Sequence, residues 1–111
     1  MDKTKLESLV KNGESLNLEF KTSTSQLKNT LETVCAYLNG KGGTVLIGVK
    51  NNGEMIGQHI TDSTRQEIAR EVKKIEPSPE IDISYADIGN GKMVIIFEAS
   101  LGRHAPYVFD G

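Results

Sequence analysis

The stretch NGKGGTVLIGVKNNGEMIG, residues 39–57, places six glycines in nineteen positions and sets Lys41 among them. Glycine, lysine and threonine in succession suit a loop that wraps a phosphate, and they suit equally the turns of a small sheet. Spacing excludes both familiar phosphate loops. A P-loop needs a glycine five positions before its Gly-Lys pair, and that position is Cys35. The dinucleotide fingerprint needs a third glycine three residues after Gly42, where Val45 stands. Direction excludes them too. Leu27, Leu31, Val34, Cys35 and Leu38 recur at helical period up to Asn39-Gly40, so the loop leaves a helix C-terminus and enters the strand TVLIGVK. That end of a helix presents carbonyl oxygens and the negative end of its dipole, the wrong polarity for phosphate. The glycines read as turn chemistry. Gly40 suits the left-handed residue after a helix, Gly53 suits a hairpin turn from NNGE into MIGQ, and Gly48 suits a bulge or close backbone approach. No nucleotide or other cofactor is expected.

Working outward, TKLESLVK reads as a short helix with Thr4 and Glu7 at capping-box spacing, Leu6, Leu9 and Val10 on one side, and Gly13 as its stop. SLNLEFK alternates Leu16, Leu18 and Phe20 with Asn17, Glu19 and Lys21, the pattern of a strand with one wet face. Ser23 and Gln26 form a second capping box ahead of the apolar stripe. Beyond the glycine loop, Asp62 or Ser63 caps a third helix with Ile68, Val72 and Ile75 inside and Pro77 closing it. EIDISYADI, a Gly89-Asn90-Gly91 turn and MVIIF complete two more strands. The order α-β-α-β-β-α-β-β predicts an α/β (α+β mixed) single domain, a mixed sheet with helices on one face.

Composition narrows the setting. With 111 residues, 37% apolar and 25% charged, the chain has the size and balance of one globular domain. No apolar run approaches the roughly 18 residues of a membrane span, and MDKTKLESLV is no signal peptide, so no membrane partner is expected. A lone Cys35 and no Cys/His ligand spacing predict a reducing, cytoplasmic setting and no metal site. The net charge of −2 opposes broad non-specific nucleic-acid binding, yet 13 Lys and Arg remain to build a local patch.

ESLNLEFK (14–21), AYLNGKGGTVLIGV (36–49), NNGEMIG (51–57) and APY (105–107) together resemble the AlbA-2 domain shared by Schlafen proteins and many bacterial regulators, once named divergent AAA-4 ATPases. The resemblance covers residues 14–111 and leaves 1–13 as an N-terminal short helix. It implies an Alba-like fold and a DNA- or RNA-binding role, commonly as the N-terminal module of a transcriptional regulator. The family pattern continues past Pro106-Tyr107 into a further strand carrying an arginine, so the domain reads as truncated at Gly111. Schlafen relatives that cleave RNA use acids in the E-x4-EFK segment and another after the GV of the glycine-rich strand. Glu14 and Glu19 match the first two, and the third position reads Lys50-Asn51. Metal-assisted phosphodiester cleavage needs carboxylates around the ion, and a lysine there puts positive charge at its seat.

The main expectation is therefore a nucleic-acid-binding module, DNA ahead of RNA, with Lys21, Lys41, Lys50 and Arg103 contacting phosphate and Lys41 with Lys50 forming a basic ridge. A homodimer, or a further domain of the parent protein, would pool two small patches. Two rivals remain. One is a metal-dependent endoribonuclease using Glu14 and Glu19 as catalytic residues. The other is a docking domain without nucleic-acid affinity. Arg65, Arg70, Lys73 and Lys74 alternate with Glu67 and Glu71 and read as a mixed exposed face. Tyr107 reads as a packed aromatic before a base-stacking one, Cys35 as core, and His59 receives no role.

Overall fold

Apolar runs on TVLIGV and MVIIF require cover on both sides, and the whole architecture follows from how that cover is supplied. A computed structural model describes residues 1–110; Gly111, where the sequence reading puts a truncated end, lies outside the described residues. Elements run α1 (Lys3–Lys11), β1 (Leu18–Lys21), a 3-10 turn (Thr24–Gln26), α2 (Leu27–Leu38), β2 (Gly43–Ile47), α3 (Asp62–Val72), β3 (Ile75–Glu76), β4 (Ile81–Gly89), β5 (Lys92–Ala99) and β6 (Val108–Phe109). The main sheet has four strands in the order β1-β2-β5-β4, and β3 pairs β6 in a separate ribbon. β1 runs parallel to β2, while β2–β5 and β4–β5 are antiparallel. This is a mixed sheet in a mixed α/β domain.

Strand alternation sorts the core into two halves. Val45, Ile47, Ile95, Phe97 and Ala99 face α2, whose Leu27, Leu31, Val34, Cys35 and Leu38 pack there with Ile68 of α3. Leu18, Phe20, Leu46, Val94 and Ile96 face the other way and are sealed by Leu6 and Val10 of α1. One-sided helices thus describe α2 and α3 alone; α1 covers the opposite face, because the central strands are apolar on both. Leu6 is fully buried, and truncating such a leucine to alanine costs roughly 2–5 kcal/mol.

Two-sided cover also corrects the wet face expected of β1. Glu19 and Lys21 lie under α2 with side chains only 34% and 18% exposed. Leu16, placed by alternation with Leu18 and Phe20, is instead fully exposed in a turn where Ser15 and Leu18 bond each other. Helix starts move by one or two residues. Asp2, not Thr4, caps α1 by accepting from the Lys5 amide at 2.9 Å, and Thr61 with Thr64 forms the capping box of α3. Ile75 leaves α3 for β3, opposite Phe109. MIGQ makes only isolated bridges, Val49 to Met55 and Gln58 to Met93.

The glycines resolve individually. Gly42 at φ +83°, rather than Gly40, is the left-handed residue after α2, and its amide donates to the Tyr37 carbonyl. Gly48 makes the close approach expected of it. At φ +106° it leaves only 2.8 Å between an added Cβ and the Cα of Gly57. Gly53, at φ +89°, closes the Lys50–Glu54 turn.

Candidate nucleic-acid interface

The polar residues of β1 meet a polar stripe of α2. Thr33 and Tyr37, one helical turn apart, flank the apolar stripe and face the edge of the sheet. The Thr33 hydroxyl donates to Glu19 Oε2 at 2.8 Å, and the Lys21 ammonium lies 3.4 Å from the same oxygen. Tyr37 lays its ring over Gly43, where any Cβ would stand 2.7 Å from ring carbons. Its hydroxyl is held above the usual tyrosine range, chiefly by burial and then by the negative charges of Glu19 and Glu14.

Glu14 has a structural task. Its carboxylate accepts from the Phe20 amide at 2.9 Å, on the side of β1 that has no neighbouring strand. The Gln26 side chain accepts from the Thr22 amide in the same way. Each glutamate already carries a structural contact on its Oε2. One carboxylate caps a strand edge, and the other carries a lysine on its oxygen. Lys50, at the family's third acidic position, is exposed and pairs with Glu54 at 3.6 Å. Among the described residues no three His, Cys, Asp or Glu side chains form a metal-binding group. The donor set does not fit the ion that RNA cleavage requires.

The four expected phosphate contacts separate into two pairs. Lys21 is in register with Ile47 at the C-terminal end of β2, and Lys50 follows just beyond that end. Lys41 precedes the other end of β2. Arg103 adjoins it, since the Gly102 amide donates to the Leu38 carbonyl and Gly42 abuts the backbone of Ala99 and Ser100. The strand alone holds its end residues about 13 Å apart at roughly 3.3 Å per step. Lys41 and Lys50 therefore form no ridge. The pairs differ in charge balance as well. Lys21 and Lys50 lie beside Glu19 and Glu54, whereas neither Lys41 nor Arg103 has an ion-pair partner among the described residues.

Remaining candidates take ordinary places. Tyr107 is buried in the core, and its hydroxyl accepts from the His104 amide at 3.1 Å, which removes it from base stacking. Cys35 is buried, and burial raises its thiol pKa. Arg65 stacks on the Tyr85 ring at 4.1 Å, and Lys74 pairs with Glu71 at 2.7 Å, as a mixed face would. His59 meets the Gly91 carbonyl at 3.1 Å. No helix among the described residues is long and apolar enough to cross a membrane. The sequence reading missed Thr33 and Tyr37, and it took Gln26 for a helix cap where its side chain accepts from the Thr22 amide. Their signal was a polar stripe beside the apolar one on α2, visible only once β1 is known to lie under it.

A family model described as Schlafen, AlbA_2 matches residues 14–111. No curated protein matches the chain. Among solved structures, the N-terminal domain of a RecG-related protein from Nitrosomonas europaea, whose parent is named for an ATP-dependent DNA helicase, is similar at TM-score 0.75 and 20% identity, over 100% of this chain and 82% of that one. The DIP2311 protein from Corynebacterium diphtheriae is similar at TM-score 0.59 and 16% identity, over 96% of this chain and 23% of that one. At such identities the likeness concerns the fold.

Proposed function

The chain belongs to the Schlafen AlbA_2 family, and from that premise we propose that it is a nucleic-acid-binding module of a transcriptional regulator that grips phosphate at the Lys41–Arg103 end of its sheet. One observation carries the reading: among the described residues these two exposed cations, on adjoining loops, lack carboxylate partners of the kind that Lys21 and Lys50 have. The helicase-related name of the Nitrosomonas protein favours DNA over RNA. Binding is electrostatic and reads no sequence, so affinity falls steeply with salt. It is weak for one copy. The C-terminal dipole of α2 opposes phosphate here, and the cleft lined by Arg103 also carries Glu80, Asp82 and Glu98.

Fluorescence anisotropy with labelled duplex DNA, single-stranded DNA and structured RNA across a salt series tests this. Lys41→Glu should weaken binding about tenfold or more and lower the salt slope by about one. Arg103→Glu should act less, among its acidic neighbours, and Lys21→Glu least. Equal losses from all three would return the interface to a patch spread over both ends. An absence of binding at low salt would sink the reading and leave the docking domain.

A further inference from the structure

The main sheet has two edge strands, β1 and β4, and the chain closes only one. Along β1 the outward amides of Leu18, Phe20 and Thr22 donate to the Ser15 carbonyl, the Glu14 carboxylate and the Gln26 side chain. A docking strand would find none of these amides free to donate to it.

Register identifies the outward groups of β4. The Thr44 amide donates to the Asn17 carbonyl, so Thr44 and Leu46 turn to β1 while Gly43, Val45 and Ile47 turn to β5. Their partners Ala99, Phe97 and Ile95 bond β2, which leaves Glu98, Ile96 and Val94 to bond Asp82, Ser84 and Ala86 of β4. The amides and carbonyls of Ile81, Ile83, Tyr85 and Asp87 therefore point away from the sheet. No hydrogen bond among the described residues uses them. This edge is nine residues long and holds neither lysine nor proline, two residues that blunt an edge, and its one register shift is confined to the Asp87–Gly89 end.

We propose that β4 pairs antiparallel with β4 of a second copy about a two-fold axis at Ser84, joining both sheets into one. The sequence suits this register. Ile83 and Tyr85 face each other across the axis, and Ile81 faces Asp87, so all four outward residues exchange main-chain bonds, about eight in total. Asp82 falls opposite Ala86 and Ser84 opposite itself, so no like charges meet. The pairing is independent of the nucleic-acid reading, since it uses none of the cations proposed for phosphate.

Sedimentation velocity over a wide concentration range tests it, with Ser84→Asp and Ser84→Lys as variants. Each variant alone places like charges face to face on the axis and should raise the dimer dissociation constant by up to about fivefold, whereas an equimolar mixture should dimerise at least as well as the unmodified chain. Hydrogen exchange on the unmodified chain gives a second readout that no variant can confound. The Ile83 and Tyr85 amides should gain protection as concentration rises, and the Phe20 amide should not change. A chain that stays monomeric, a dimer indifferent to both charges, or a dimer that leaves Ile83 and Tyr85 unprotected would each overturn the pairing.

Discussion

The two ends of β2 carry cations of the same kind and treat them oppositely. At the C-terminal end, Lys21 and Lys50 are each held against a glutamate, and the backbone is locked where Gly48 meets Gly57. At the N-terminal end, Lys41 and Arg103 have no ion-pair partner among the described residues and stand on loops that Asn39 fastens to Tyr107. A lysine at a phosphate-contact position must leave its carboxylate neighbour to serve there, and an unshared lysine need not. The family pattern picks out Lys21 by its place beside Glu19, while the charge balance picks out Lys41.

The largest effect is expected from breaking the locked end. Gly48 and Val49 both donate to the Lys21 carbonyl, a bend available only at the positive φ of Gly48. Gly48→Ala adds backbone strain of about 1–3 kcal/mol and drives a methyl toward the Gly57 backbone, so a loss of about 3 kcal/mol is expected in urea denaturation. A near-neutral result would mean that this end is pliant, and that Lys21 can swing free of Glu19.

The opposite end should break more gently. The Asn39 side-chain amide donates to the Tyr107 carbonyl at 2.8 Å, and its oxygen accepts from the Tyr107 amide at 2.6 Å, so it stands in for one rung of a sheet. Asn39→Ala leaves both main-chain groups unpaired and should cost roughly 1–3 kcal/mol. It should also speed proteolysis in residues 100–107 and weaken DNA binding through Arg103 while leaving Lys41 in place. Lost stability with unchanged binding would remove Arg103 from the interface.

What the sequence made legible follows the strength of its periodicities. The α2 stripe, β2 and β5 are long and strongly patterned, and Gly48 announced its close approach because glycine inside a strand has few other uses. The misreadings of Glu19, Lys21 and Ile75 share one cause, which is that their deciding partner is remote. Glu19 and Lys21 read as wet because nothing local says that α2 will cover them. Ile75 reads as helical because its pairing partner, Phe109, lies 34 residues on. The ridge of Lys41 and Lys50 failed because both flank one strand, so their separation is fixed by its length. Among the caps, Asp2 and Thr61 sit within two residues of the expected ones, a choice between adjacent oxygens that local sequence does not rank.

The smallest effect lies between the two ends, at Tyr37. Its hydroxyl is raised above the ordinary value of 10.0 by burial first, then by Glu19 and Glu14. A raised acid holds its proton longer in the folded state than in the unfolded one. Its contribution to stability is therefore complete below pH 10.0 and is lost as pH climbs from there through the folded value. Burial raises the Cys35 thiol above 9.0 in the same sense, so the unmodified chain should already weaken from about pH 9. Tyr37→Phe isolates the tyrosine, and the difference between its stability and that of the unmodified chain should change only above pH 10.0. Glu19→Gln removes one negative neighbour and should give an intermediate slope. The same substitution releases Lys21 from the carboxylate it pairs with, so it should also strengthen DNA binding slightly if Lys21 can reach phosphate. An intermediate slope with unchanged affinity would place the acidic cluster wholly in the fold, and leave phosphate to the far end of the strand.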